Sequence, residues 1–340
     1  MITIEKKYEN GIVVFQLANE TIQAYITNYG GTILNIFVPD QNNQPTDCVL
    51  GFETVFDYDK RDGTYLNACV GRVANRIANG TFTLNDIEYT LIQNNGPNTL
   101  HGGVEGFSYK IFDYKIENDQ LQLHYTSPNL EEGFPGQLEF YVIYSLEKNA
   151  LKVEYQAISD QDTIANFTNH AYFNLNGTTS YVGNHTLQIQ ASHFGCVDSN
   201  GLYNGEIRPV ENTPMDFQTS QTLDTCFHSQ YDQLEIGHGL DHPFLFDTKE
   251  NQVQLYSPKT GIELCVSTTY PLAQIYSANF LNGQKAKDGL YMQPKDAICI
   301  ETQYMPDSIH KEENSKVIVR KGELYKEVTL YKFRNRHASK

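Results

Sequence analysis

Short runs in which apolar and polar residues alternate, separated by turn residues, recur from one end of the chain to the other. Val13 to Leu17 and Ile22 to Ile26 precede a break at Asn28-Tyr29-Gly30-Gly31. Phe82-Thr83-Leu84 and Ile87-Glu88-Tyr89 flank Asn85-Asp86, a pattern that predicts a hairpin. Asp113 to Ile116 and Leu121 to Tyr125 flank Asn118-Asp119 in the same way, and a longer pair, Phe140 to Leu146 and Leu151 to Ala157, turns at Lys148-Asn149. Further strands are predicted at 186–191, 253–257, 262–267, 272–277, 297–303 and 325–334. Helical periodicity is confined to Glu53 to Lys60 and Phe217 to Phe227. Without strands alternating with long helices there is no case for a parallel α/β sheet. No low-complexity tract, fixed-period repeat or Pro/Ser-rich linker divides the chain. The pattern predicts an all-β fold: one large antiparallel β-sandwich domain over 1–340, with few short helices. Its site should lie on the concave face of a sheet or in the loops above it.

One stretch departs from the usual polar alternation. Thr163 to Gly177 reads T-I-A-N-F-T-N-H-A-Y-F-N-L-N-G. Taken as a strand, one face carries Ala165, Phe167, Ala171, Phe173 and Leu175, interrupted only by Asn169. The other carries Asn166, Thr168, His170, Tyr172 and Asn174. A solvent face would use Lys and Glu. Neutral hydrogen-bonding groups around one imidazole instead suit the wall of a cleft for a polar, uncharged ligand, with His170 as its first candidate for catalysis.

Composition narrows the partners. Acidic residues number 41 against 25 basic ones, giving a formal charge of -16. That charge repels phosphate backbones and anionic membranes, so nucleic acid and membrane are not expected as partners. No stretch approaches the ~18 consecutive apolar residues of a membrane span, and the first residues lack the apolar core of a secretory signal. The six cysteines, at 48, 69, 196, 226, 265 and 299, form no C-x-x-C pair. They predict free thiols in a reducing compartment and a cytoplasmic protein.

Four more stretches carry candidate chemistry. In G-R-V-A-N-R-I-A-N-G-T-F (71–82), Asn75 stands beside Arg76, whose planar guanidinium could bind sugar hydroxyls or a carboxylate, or form a surface ion pair. In N-N-G-P-N-T-L-H-G-G (94–103), His101 is followed by two glycines that would let the backbone approach a ligand closely; a solvated loop histidine is the alternative. In G-H-G-L-D-H-P-F-L-F (237–246), His238 and His242 have a zinc-like spacing, but Gly239 and Pro243 oppose the helix it requires. Asp241 there precedes an apolar run and could accept bonds from a bound diol. In D-A-I-C-I-E-T-Q-Y-M-P-D-S (296–308), Glu301 ends a buried run, where desolvation raises a carboxyl pKa toward the range of a general base. A strand-end salt bridge fits it equally.

Together these stretches, in this order and over nearly the whole chain, resemble the galactose mutarotases (aldose 1-epimerases). The resemblance lies in G-R-V-A-N-R-I-A-N-G-T-F, N-N-G-P-N-T-L-H-G-G, N-F-T-N-H-A-Y-F-N-L-N-G, G-L-D-H-P-F and E-T-Q-Y-M-P-D. It implies a β-sandwich of the galactose mutarotase-like kind with no metal and no organic cofactor. The expected activity is interconversion of the α and β anomers of free aldohexoses such as D-galactose and D-glucose. It also implies roles: His170 as the acid that protonates the ring oxygen, and Glu301 as the base at the anomeric hydroxyl. His101 becomes a second histidine near the ring oxygen, Asn75, Arg76 and Asp241 bind the sugar, and Gln274 lines the pocket. The expected partner is a small-molecule aldose, and the protein a monomer or homodimer.

The chain departs from the family pattern at Leu240, at Y-S-A-N-F (276–280) and over 307–318. Leu240 and the 276–280 loop are expected near the pocket rim, where they would bear on sugar preference. Three other readings compete. Asp241 and Glu301 could be the carboxylate pair of a glycoside hydrolase; the fold could be a sugar-binding module without turnover; or a phosphosugar could be the substrate, although that needs extra cations for the phosphate.

Overall fold

The computed structural model describes residues 1–59, 62–311 and 316–336. The alternating runs become strands, almost all antiparallel, and the hairpins turn where the polar pairs sit. Asn85 and Asp86 (φ 51° and 60°) and Asn118 and Asp119 (φ 52° and 55°) each supply the two left-handed residues of a tight turn. Asn and Asp accept that conformation more readily than other side chains. Lys148 (φ 54°) opens the turn between Leu138–Glu147 and Ala150–Ser159.

Three sheets dominate. Five consecutive strands, from Ile2–Lys7 to Pro45–Asp47, form a meander. A nine-stranded sheet runs in the order Asp113–Glu117, Gln120–Ser127, Leu138–Glu147, Ala150–Ser159, Tyr325–Asn335, Ile262–Thr268, Val253–Tyr256, Thr186–Ile189, Gln221–Thr222. A six-stranded sheet runs Tyr172–Phe173, Ile298–Gln303, Leu272–Tyr276, Asp241–Leu245, His193–Val197, Tyr203–Pro209. One core fills the space between them. Phe140, Tyr155, Leu264 and Tyr331 of the larger sheet belong to the same buried cluster as Phe173, Ile275, Ile298, Ile300 and Phe244 of the smaller. Each such side chain contributes roughly 1.5–3 kcal/mol by leaving water, so the six-stranded sheet is a stiff base.

Because side chains alternate, the residues between those core positions point to the other face of the six-stranded sheet. The register sets Tyr172 opposite Cys299, Cys299 opposite Tyr276, Tyr276 opposite Asp241, and Glu301 opposite Gln274. Residues directly opposed share a face, so one surface of one sheet holds Tyr172, Tyr276, Asp241, Glu301 and Gln274.

Helix is scarcer than the periodicity suggested. Of Glu53 to Lys60, whose last residue lies outside the described residues, only Val55–Asp59 forms a 3-10 turn, and Phe217 to Phe227 contains only Leu223–Phe227. Asp232–Ile236 and Ser308–Lys311 add one turn each. Part of the divergent stretch 307–318 lies outside the described residues. All six cysteines are buried and free. No helix among the described residues is long and apolar enough to cross a membrane.

The largest correction concerns Thr163 to Gly177. It is not one strand but three two-residue pieces, Thr163–Ile164, Thr168–Asn169 and Tyr172–Phe173, paired in turn with Ile318–Val319, Cys69–Val70 and Ile298–Cys299. The segment crosses the sandwich, exchanging partners as it goes. Ala165, Phe167, Ala171, Phe173 and Leu175 do enter the core, so the alternation survives although the ladder does not.

Candidate active site

Seven sequence positions were expected to meet in one site, and six of them line one cavity. His170, Glu301, His101, Asn75, Arg76 and Asp241 surround it together with Asp62 to Tyr65, Leu100, Tyr172, Tyr276 and Phe280. The inner cavity measures about 100 Å³ and continues past Arg76 and Asp241 into an outer groove of about 500 Å³. Its floor is the face of the six-stranded sheet, and its walls are the loops that carry Asn75, His101 and Tyr65.

At the bottom, His170 Nε2 lies 3.5 Å from Glu301 Oε1, with the residues 5% and 2% exposed. The backbone fixes both. Glu301 is held by strand pairing to Gln274. His170 accepts from Asn67 N–H at its carbonyl (3.0 Å) and donates from its own N–H to Ala68 O (2.9 Å). The Asn67 side chain also accepts from Tyr172 N–H (2.8 Å) and donates to Leu50 O (2.6 Å).

Burial decides the electrostatics. It pushes the Glu301 carboxyl well above its ordinary pKa, Asp241 adds to that rise, and Arg76 opposes it. Burial pulls His170 down to about 4. Both groups are thus driven toward their uncharged forms, with a single proton between them. Glu301 Oε2 has no hydrogen-bond partner among the described residues.

His101 is fixed differently. Its Nδ1 accepts from Asn75 N–H at 3.1 Å, and its own backbone N–H returns to Asn75 O at 3.0 Å. An accepting Nδ1 puts the ring proton of the neutral imidazole on Nε2. Burial, His170 and Arg76 all lower its pKa, so it stays neutral and can only donate from Nε2. This bears on metal binding. His101, His170 and Glu301 offer ligand atoms within 4.8 Å of one another, but a metal on His101 Nε2 would force the proton to Nδ1, against Asn75 N–H. The trio is a proton-handling cluster that is poorly prepared for a metal.

Arg76 Nε donates to Asn95 Oδ1 (2.9 Å) and Nη1 to Gly201 O (3.0 Å), so the guanidinium ties together two loops of the rim. Arg72, four residues earlier, is buried and donates to Ser127 Oγ and to the carbonyls of Ser127, Pro128, Pro135 and Gly136. It braces the scaffold and does not reach the cavity.

Several expectations are corrected here. Gln274 does not line the cavity; it stands behind Asp241, and its Nε2 donates to Asp241 Oδ1 at 2.7 Å. Of the polar face, only His170 and Tyr172 reach the cleft. Asn166 exchanges bonds with the backbone of Tyr304, Asn174 donates to Ser180 O and Asp296 O, and Thr168 is fully buried. Gly102 serves the scaffold, not a ligand: at φ +86°, a Cβ would sit 2.0 Å from Gly71 O. Leu240 is fully buried in the core, although His238 and Asp241 on either side of it line the outer groove. His242 is buried on its strand, accepting at Nδ1 from Asp241 N–H, while His238 is exposed.

The 276–280 loop lies where it was expected, with Tyr276 and Phe280 lining the cavity, whereas Tyr65 and the loop at Asp62 to Thr64 were not anticipated as walls. Tyr65, a bulky residue at φ 48°, carried no sequence signal.

Comparison with known proteins finds similarity over most of the chain. Residues 13–332 match the family model described as Aldose 1-epimerase. A galactose mutarotase of Sus scrofa is 38% identical over 324 residues, covering 94% of this chain and 93% of the relative. An aldose 1-epimerase of Escherichia coli K12 is 33% identical over 316 residues, covering 91% of each. Among solved structures, a GalM/aldose epimerase homologue from C. elegans superposes with a TM-score of 0.87 at 30% identity, covering 94% of this chain and 98% of that one.

Proposed function

Because the chain belongs to the aldose 1-epimerase family and interconverts the α and β anomers of aldoses, we propose that Glu301 and His170 are its base and acid. The observation that supports this pairing is the 3.5 Å approach of two buried, complementary groups at the bottom of a polar cavity.

Ring opening removes a proton from the anomeric hydroxyl and delivers one to the ring oxygen as the C1–O5 bond breaks. The aldehyde turns about C1–C2 and closes on its other face, and closure returns both protons. The working state is a Glu301 carboxylate with a His170 imidazolium. It holds the same number of protons as the uncharged pair that burial favours, so it is reached by an internal proton shift and needs no exchange with water. After ring opening the proton lies on Glu301 and His170 is neutral, and closure on the other face returns the pair to its starting state, which suits a reaction that runs both ways. Positioned acid–base groups give roughly 10²–10⁴-fold each, enough for a reaction that already proceeds in water.

In this reading His101 Nε2–H donates toward the ring oxygen and steadies it during opening. Asn75, Arg76 and Asp241 hold hydroxyls, and Gln274 acts through Asp241. Galactose and glucose are the substrates we expect, in line with the names of the relatives. The six buried thiols fit a cytoplasmic setting, and the span 13–332 would work as one catalytic domain, as a monomer or a homodimer.

The test is polarimetric. The optical rotation of freshly dissolved α-D-galactose and α-D-glucose should decay faster with protein present, and His170→Asn should remove ~10²-fold or more of that acceleration. A His170→Asn variant with near-wild-type rates would overturn the assignment of the acid.

A further inference from the structure

His170 sits in an unusual setting for a group that must carry positive charge during turnover. Three tyrosine rings surround it. Tyr172 lies nearly parallel to the imidazole, with centroids 5.1 Å apart and planes at 23°. Tyr65 is also near-parallel, at 6.4 Å and 27°, and Tyr276 meets it edge-on at 5.9 Å. The charged and titratable groups facing His170 besides these rings are Glu301 at 3.5 Å and the neutral His101, whose ring lies 5.4 Å away; Asp62, Arg76 and Asp241 line the same cavity.

The arrangement is heavily braced. Tyr172 OH donates to Thr64 O at 2.8 Å, and Asn67 ties the same loop to the backbone at His170 and Tyr172. Tyr65 keeps a left-handed backbone (φ 48°) that a bulky residue adopts only when its surroundings impose it. Its hydroxyl meets Asn94 Nδ2 at a long 3.3 Å, so the ring, packed edge-on against His101 at 4.6 Å, is the better-engaged part.

A tyrosine face carries partial negative charge and attracts a cation held over it. We propose that the faces of Tyr172 and Tyr65 stabilise the imidazolium form of His170, making both tyrosines positioning residues that draw the shared proton from Glu301 to the acid. The rings replace, in a dry site, part of the solvation that water gives an imidazolium. This rests on His170 being the acid, but the contact can be tested apart from turnover.

The comparison is between variants that keep a ring and variants that keep only the bulk. Tyr172→Phe and Tyr65→Phe retain the face; Tyr172→Leu and Tyr65→Leu exclude water without it. His170 is followed by imidazole NMR across a pH titration, its resonance assigned from His170→Asn, and kcat is read by polarimetry on galactose. Phe variants should leave the His170 titration in place and kcat within about threefold. Leu variants should move the titration to lower pH and lower kcat by roughly 3- to 30-fold, the range of a desolvated cation–π contact. If the Tyr172→Leu core variant does not fold, Tyr65→Leu at the cavity wall carries the test. Equal titration in Leu and Phe variants would overturn the proposal, as would Phe variants falling as far as Leu. A shifted titration in Leu variants, alongside a fully active His170→Asn, would uphold the contact and overturn only the role of His170 in turnover.

Discussion

Exchanging Glu301 for Gln separates the chemistry of the site from its stability. The amide has nearly the same volume, so the cavity keeps its shape while the base is lost. Anomerisation, followed as decay of optical rotation, should slow by ~10²–10⁴-fold in kcat/KM, or roughly 3–5 kcal/mol of lost transition-state stabilisation. Stability should move the other way, with a defined pH signature. Above the ordinary carboxylate pKa of ~4.3 the unfolded chain releases a proton that the folded chain keeps on Glu301, because burial and Asp241 raise that group. The folded state therefore loses stability as pH rises, by up to about 1.4 kcal/mol per unit, until Glu301 itself ionises. His170 acts in the opposite sense. Lowered to about 4, it is neutral in the folded chain while the unfolded histidine stays protonated up to ~6.5. That term raises stability between those two pH values and is nearly the same in both proteins, so it drops out of the difference. Urea unfolding at a series of pH values should thus show Glu301→Gln gaining on wild type steadily above pH ~4.3. A stability gap that stays constant with pH, or a variant within tenfold of wild-type activity, would refute the reasoning.

Three further outcomes are expected. The pH profile of kcat/KM should be flat through ~6.5, because the active pair is the one holding a single proton. Its acid limb falls where His170 takes a second proton, near about 4, and its alkaline limb only at the raised pKa of Glu301; a loss of activity centred at ~6.5 would count against a shared proton. Gln274→Leu removes the 2.7 Å bond to Asp241. A hydrogen bond to a charged group contributes ~1.5–3 kcal/mol, so steady-state kinetics should show KM rising about tenfold or more with a smaller change in kcat. Gly102→Ala places a Cβ 2.0 Å from Gly71 O at φ +86°; it should lower unfolding free energy by ~2 kcal/mol or more in urea melts.

Much of the fold was legible because its rules are local. Asn85-Asp86 and Asn118-Asp119 announce their turns through backbone preference alone. The strand 298–303 is readable because Ile298 and Ile300 face one way while Cys299 and Glu301 face the other. Thr163 to Gly177 was misread as a single strand for the opposite reason. Alternation records which side of the chain meets the core, and it stays intact when the hydrogen-bond partners change every few residues. Those partners, Cys69–Val70 and Ile318–Val319, are far away in sequence, so no local pattern could reveal the exchange.

The site divides along the same line. Residues whose chemistry is scarce in a core, such as His170, Glu301 and Asp241, stand out because a titratable group inside an apolar run needs an explanation. Residues that act by position do not stand out. Gln274 was expected to line the pocket from motif likeness, whereas its side chain turns to Asp241 and donates to Oδ1. The glycines after His101 suggested close approach to a ligand, yet Gly102 makes room for the carbonyl of Gly71. Tyr65 is the extreme case: nothing in Asp62 to Asn67 marks it, and its ring reaches both histidines only because Asn67 binds that loop to the segment carrying His170. A catalytic pair buried this deeply is driven toward neutrality by the same desolvation that makes its members reactive. What returns charge to the imidazole must then come from neighbours that add no charge of their own, and these neighbours, aromatic faces held by backbone geometry, are the part of a site that sequence conceals most completely.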